Sequence, residues 1–141
     1  MKNYLSILVV LCLFVSCKKN NGYKDSDPTL FKEYITGFTS GLISTEEPIE
    51  VLLTESLDIE PIENIDTEKV FEFSPKVDGY ATFEGNSVKF VPREPLSYNK
   101  EYQVTFNLSQ VLNVKKEQEK FFFRVRTQNL LFEVNTRDLQ S

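Results

Sequence analysis

Apolar positions recur every second residue over most of this chain. Tyr102, Val104, Phe106 and Leu108 fall on one face, and Gln103, Thr105 and Asn107 on the other. That alternation is the mark of an antiparallel strand half buried against a core. Ser87 to Val91 repeats it on a shorter scale. Phe121, Phe123 and Val125 alternate with Phe122, Arg124 and Arg126, and Ile49, Val51 and Leu53 with Glu50 and Leu52. Short strands are also predicted at Val70–Phe73 and at Tyr80–Phe83, the second turning through Glu84-Gly85-Asn86 into Val88 as a hairpin. The stretch Phe31–Phe38 is β-rich but irregular and reads as an edge strand. Turn residues separate these runs at Ser74-Pro75, Asp78-Gly79, Pro92 to Pro95 and Tyr98-Asn99-Lys100. Thr67-Glu68-Lys69 has the length of one helical turn. Val111 to Glu119 is open between a hairpin loop and a short helical excursion.

About seven short strands over roughly 100 residues predict an all-β fold, an immunoglobulin-like antiparallel β-sandwich over residues 29–128. The Cys…Trp…Cys arrangement of antibody domains is absent, since the chain has no Trp and two Cys, both before residue 18. The core is therefore expected to rest on Phe, Tyr, Val and Leu packing alone.

The N-terminus follows a different pattern. Lys2 is followed by an uncharged stretch, with 11 residues from Leu5 to Val15 that are apolar but for Ser6. A helix needs about 20 apolar residues to cross a bilayer core, so this segment has the length of a signal-peptide core instead. It ends in Leu13-Phe14-Val15-Ser16-Cys17, with Lys18 and Lys19 behind it. An ordinary secretory signal and an uncleaved anchor are the competing readings. The first prefers an A-x-A cleavage site, and the second needs a longer apolar run. A small residue before a cysteine, directly behind an apolar run, resembles the lipobox of bacterial lipoproteins. That resemblance implies a diacylglycerol on the Cys17 sulfur and cleavage before it, removing residues 1–16. Several acyl chains hold a membrane firmly, at about 0.8 kcal/mol per buried CH₂.

Cleavage would leave 125 residues, with Cys17 as the one remaining cysteine and the net charge moved from −5 to −6 by loss of Lys2. No intramolecular disulfide and no cysteine-based zinc site can then form. With no His in the chain, His-dependent triads and His-ligated metals are excluded. An acidic chain is a poor partner for phosphate backbones, so no nucleic acid is expected. Residues 17–28 are polar as far as Pro28 and read as a flexible tether, Asp25-Ser26-Asp27 included. Asn129 to Val134 reads as a further strand. Residues 129–141 are expected either to begin a following domain or to form a C-terminal strand.

Two stretches carry a family resemblance. One is Thr39-Ser40-Gly41-Leu42-Ile43-Ser44-Thr45-Glu46-Glu47-Pro48-Ile49-Glu50-Val51. The other runs from Val70-Phe71-Glu72-Phe73-Ser74-Pro75 through Gly79 to Val88-Lys89-Phe90-Val91-Pro92, Leu96 and Tyr102-Gln103-Val104-Thr105-Phe106. The second resembles the bacterial Ig-like pattern F-x-P…G…l-x-F-x-P…L…Y-x-V-x-l. Behind a lipobox, the two resemble the N-terminal region of Bacteroidetes alpha-2-macroglobulin family lipoproteins. The resemblance implies a membrane-proximal spacer in a multi-domain protease trap, with further domains of the same polypeptide and target proteases as partners. The family's thioester motif, Cys-x-Glu-Gln, is not matched, because Glu117-Gln118 follows Lys115-Lys116. No reactive residue carries over.

Other chemistry has weaker support. Glu46, Glu47, Glu50, Glu55, Asp58, Glu60, Glu63, Asp66 and Glu68 lie close in sequence with no Lys or Arg among them. A calcium site would need about six to eight oxygen ligands, and the calcium-loop frame is absent, so solvated loops and strand faces are expected. Paired carboxylates for glycoside hydrolysis need a cleft, which a small sandwich offers poorly. Tyr80, Tyr98 and Tyr102 are expected as core or corner residues with bonded hydroxyls rather than as a glycan-stacking strip. The chain is thus expected to be a lipid-anchored spacer or interaction module of the cell envelope, on the outer membrane, with no cofactor, no metal and no enzymatic activity of its own. A free-standing adhesin or glycan-binding lipoprotein is the alternative. Cys17→Ala is expected to abolish both acyl labelling and removal of residues 1–16, seen as lost label and a slower-migrating band; unchanged labelling would refute the lipid.

Overall fold

A computed structural model describes residues Lys24–Leu130. It is all-β, with eight strands: β1 (Ile35–Phe38), β2 (Gly41–Ile43), β3 (Ile49–Leu53), β4 (Phe71–Ser74), β5 (Gly79–Glu84), β6 (Ser87–Pro92), β7 (Glu101–Asn107) and β8 (Lys120–Thr127). They form two four-stranded sheets, ordered β1-β3-β6-β5 and β2-β8-β7-β4. This is the A-B-E-D and A′-G-F-C arrangement of an immunoglobulin-like sandwich. Every pairing is antiparallel except β2 with β8, which is parallel.

The strands expected within the sandwich are found, with two differences. The stretch Phe31–Phe38 is not one strand: Pro28–Phe31 is a 3₁₀ turn, and only Ile35–Phe38 pairs, as an edge strand. Asp27 caps that turn, its side chain accepting from the Thr29 amide at 2.9 Å, and Pro28 at its start has no N–H to lose. The alternation reading also passes over β2. Gly41–Ile43 is too short to show a period, and its place on β8 is set by the parallel register Gly41↔Val125 to Ile43↔Thr127. Val111 to Glu119, open between a hairpin loop and a helical excursion, holds one 3₁₀ turn at Lys116–Gln118, and another precedes it at Leu108–Gln110.

Alternation becomes burial as predicted. Phe121, Phe123 and Val125 point inward from β8, as do Val104 and Phe106 from β7 and Ile49, Val51 and Leu53 from β3, all essentially inaccessible to solvent. The two layers interlock through rings. Phe38 on one sheet meets Phe121 and Phe123 on the other at centroid distances of 4.9 and 5.2 Å. Phe73 and Phe71 of β4 meet Phe90 of β6 at 4.4 and 5.8 Å. Offset and edge-on ring pairs at such spacing add to the area they bury.

The β5–β6 hairpin closes through a two-residue loop, Gly85-Asn86, with Glu84 opposite Ser87. Gly85 has φ +60°, the left-handed geometry that the first position of a type II′ turn needs. Asn86 fastens the hairpin to β3, its side-chain amide donating to Leu53 O at 2.8 Å.

The residues of the Ig-like pattern converge. Phe73 packs on Phe90 and lies 6.4 Å from the Tyr102 ring, and Leu96 is buried beside them. Gly79 has no room for a side chain: a Cβ there would sit 2.3 Å from the Phe90 ring and 2.5 Å from Val91 O. The pattern therefore describes packing. Overfilled cores lose about 1–3 kcal/mol and ring-to-Ala truncations about 3–5. Gly79→Ala and Phe106→Ala are expected to fall in those ranges in urea titrations, with Leu30→Ala, at an exposed site, near neutral.

Candidate functional site

Both ends of the described chain lie against β8. Its N-terminal end follows the β8 edge that β2 leaves uncovered. The Asp25 carboxylate takes a two-pronged grip from Arg124, with Nε at 3.0 Å and Nη2 at 2.9 Å. The Ser26 amide donates to Phe122 O at 2.8 Å, and the Phe122 amide returns a bond to Ser26 Oγ at 2.9 Å. The Gln118 side-chain amide reaches Leu30 O at 2.6 Å. Beyond that clasp, β2 covers β8 from Val125 to Thr127. Ser26 and β2 between them pair part of an edge that would otherwise be open to another chain. The Asp25 hydrogen bonds, reinforced by its charge and by Glu101, hold the Arg124 guanidinium above its ordinary value.

The tether reading is corrected here. Asp25, Ser26 and Pro28 belong to the folded unit. Polar residues cannot build a core, but they can satisfy a strand edge, and that is what Ser26 does. At the other end, the Gln128 amide donates to Ile43 O and its carbonyl accepts from the Asn99 amide, each at 2.9 Å. The turn that offers Asn99 places it at φ 49°, which Asn tolerates. Thr127 Oγ1 donates to Ser97 O at 2.6 Å and accepts from the Lys100 amide at 3.0 Å. Asn129 and Leu130 are not in a strand; the rest of the stretch predicted as a strand lies outside the described residues, as does Cys17.

The tyrosines divide. Tyr102 is the corner residue expected: it is buried, and its hydroxyl accepts from the Ser97 amide at 3.0 Å. Tyr80 and Tyr98 are 38% and 51% exposed, contrary to the core-or-corner expectation. Tyr80 faces outward from edge strand β5 and carries the Arg93 guanidinium over its ring. Tyr98 rides on the β6–β7 turn.

The acidic run does not gather. Glu47 caps the Ser44 amide, Glu50 accepts from the Ser87 hydroxyl, Glu68 pairs with Arg93 and Asp66 with Lys69. No three acidic side chains come together as a cation cage among the described residues. A groove of about 620 Å³ runs beside Lys69, Lys76, Asp78 and Arg93. Its charges are largely spent on each other, through Lys76–Asp78 and Arg93–Glu68. Those bonds lower Asp78 and raise Lys76, hydrogen bonding first and charge second. Glu117-Gln118 sits in the 3₁₀ turn before β8, where Gln118 serves the clasp.

Among the described residues no helix is long and apolar enough to cross a membrane. No protein-family model matches the chain, and no curated protein matches it. Among solved structures the chain is similar to L,D-transpeptidase 3 from Mycobacterium tuberculosis, crystallised in complex with a faropenem-derived adduct, at 8% identity and a TM-score of 0.47. The match covers 70% of this chain and 39% of that one, so the chain spans about two-fifths of that protein's length.

Asp27 provides a pH test of the N-terminal cap. The Thr29 hydroxyl first, then its amide, lowers the Asp27 carboxyl below its usual value. A depressed carboxyl stabilises the fold above its unfolded pKa, and that stabilisation is lost as pH falls through the folded value. Stability is therefore expected to drop below about pH 4. Asp27→Asn, which keeps an accepting oxygen, should flatten part of that acid limb in urea titrations at stepped pH.

Proposed function

We propose that this chain is a lipid-anchored immunoglobulin-like interaction module of the bacterial cell envelope, moored through Cys17. The observation that carries the reading is the run Leu5–Val15 ending in Ser16-Cys17, placed ahead of a β-sandwich held together without a disulfide. In this reading the acyl chains supply the membrane affinity, residues from Cys17 to Lys24 form the leash, and the sandwich presents its faces to partners. The leash is shorter than residues 17–28 alone would give, because Asp25 already belongs to the domain.

The resemblance to alpha-2-macroglobulin family lipoproteins supports a finer proposal. The module then stands at the membrane-proximal end of a protease trap whose bait and capture chemistry lie in later domains. The Ig-like pattern residues are occupied by packing, which fits a spacer and supplies no reactive group. The chain's exit through Gln128, bonded on both sides, gives a following domain a fixed point of departure.

A second reading draws on the exposed Tyr80 and Tyr98: a free-standing glycan-binding lipoprotein, with Tyr80 as a stacking platform. The two readings part on one pair of measurements, the coding sequence beyond Ser141 and glycan-array binding. Further β domains with a Cys-x-Glu-Gln motif and no glycan signal are expected. A stop codon after Ser141, with glycan binding lost in Tyr80→Ala, would replace the trap reading with the second one.

A further inference from the structure

The clasp on β8 has a direction. Residues 25, 26 and 30 meet residues 124, 122 and 118 in that order. The N-terminal segment thus runs opposite to β8. Its outermost contact, Asp25–Arg124, lies toward the end of β8 from which the chain leaves through Gln128. A pull between the leash and the chain past Leu130 would reach Asp25–Arg124 first, then Ser26–Phe122, then Leu30–Gln118. The contacts are loaded one after another, as in a zipper.

Each of these contacts is small. The ion pair is about half exposed on both sides, and exposed pairs are weak and screened by salt. The next residue along the chain is held in another way. Phe31 is buried and lies edge-on to Phe121 at 5.0 Å, and burial of a Phe ring is among the larger contributions a single residue makes. Stripping that starts at Asp25 has a built-in stop at Phe31.

We propose that Asp25–Leu30 is a strippable clasp. At rest Asp25, Ser26 and Leu30 are held against β8 and the turn before it. Under tension the clasp yields contact by contact and lengthens the reach of the anchored domain by up to about 20 Å, for six residues at roughly 3.3–3.6 Å each, while the sandwich stays folded. This rests on the anchored-module reading, because a domain that is not anchored is not pulled.

The test holds the mature chain, residues 17–141, between handles at its two ends in an optical trap. Tension is then applied without a membrane, so the outcome is independent of the lipid, which acyl labelling of Cys17 reports separately. A reversible lengthening of up to about 20 Å is expected at low force, before the cooperative rip of the sandwich. Asp25→Asn should shift the clasp toward the open form about two- to fivefold, the range an exposed ion pair supports, and 0.5 M salt should act in the same direction. A single rip with no earlier lengthening, or a lengthening indifferent to both Asp25→Asn and salt, would overturn the proposal. Hydrogen exchange on the same chain gives an independent reading. The Phe122 amide should exchange through a local, denaturant-independent opening at least tenfold faster than that of Phe123, which faces Val104 within the ladder. Equal protection of the two would also overturn it.

Discussion

The packing of phenylalanine rings between two β-sheets carries the rest of this structure. Phe38 against Phe121 and Phe123, and Phe73 and Phe71 against Phe90, join the layers at two places. Neither cysteine falls within the sandwich, so no covalent bond backs these contacts. A domain of this size buries enough surface to fold without one, provided that every ring finds its partner. The demand reaches as far as Gly79, where the Phe90 ring leaves no space for a methyl group.

The core is apolar, and of the few polar side chains buried beside it, Asn107 and Thr127 sit at the ends of strands. Polar chemistry at the edges finishes the fold. Ser26 occupies part of the β8 edge, Asn86 ties the hairpin to β3, and Thr127 joins the β6–β7 turn to the end of β8. Asn107 donates from its side chain to Lys69 O and to Glu72, joining the start of β4 to the end of β7. Four of the acidic residues from Glu46 to Glu68 are likewise absorbed singly, by a turn amide, a hydroxyl and two basic side chains. Polar side chains at these places thus join one element of the sandwich to another.

Much of the sandwich was legible in the sequence because burial on one face of a strand imposes a period of two. β3, β7 and β8 announce themselves in that way, and Gly85-Asn86 announces its turn. Three features were not legible, each for a physical reason. β2 is three residues long, and its position depends on a parallel neighbour 84 positions away, Gly41 beside Val125. The clasp at Asp25 and Ser26 is polar, and a polar stretch reads as leash unless the partner edge is known. Tyr80 and Tyr98 carry the same side chain as Tyr102, and only the register of edge strand β5 and the path of the β6–β7 turn put them outside. Arg124 alternates outward from β8, but its partner Asp25 lies 99 positions away, too far for sequence spacing to connect them.

We propose a covalent lipid on Cys17, ahead of a domain held by ring packing. Mass spectrometry of the N-terminal peptide from protein purified out of native membranes decides whether that lipid is there. The predicted result is a peptide that begins at Cys17 and carries the mass of diacylglycerol, with or without a further acyl chain on its amine. A peptide that begins elsewhere, or an unmodified Cys17, would contradict it.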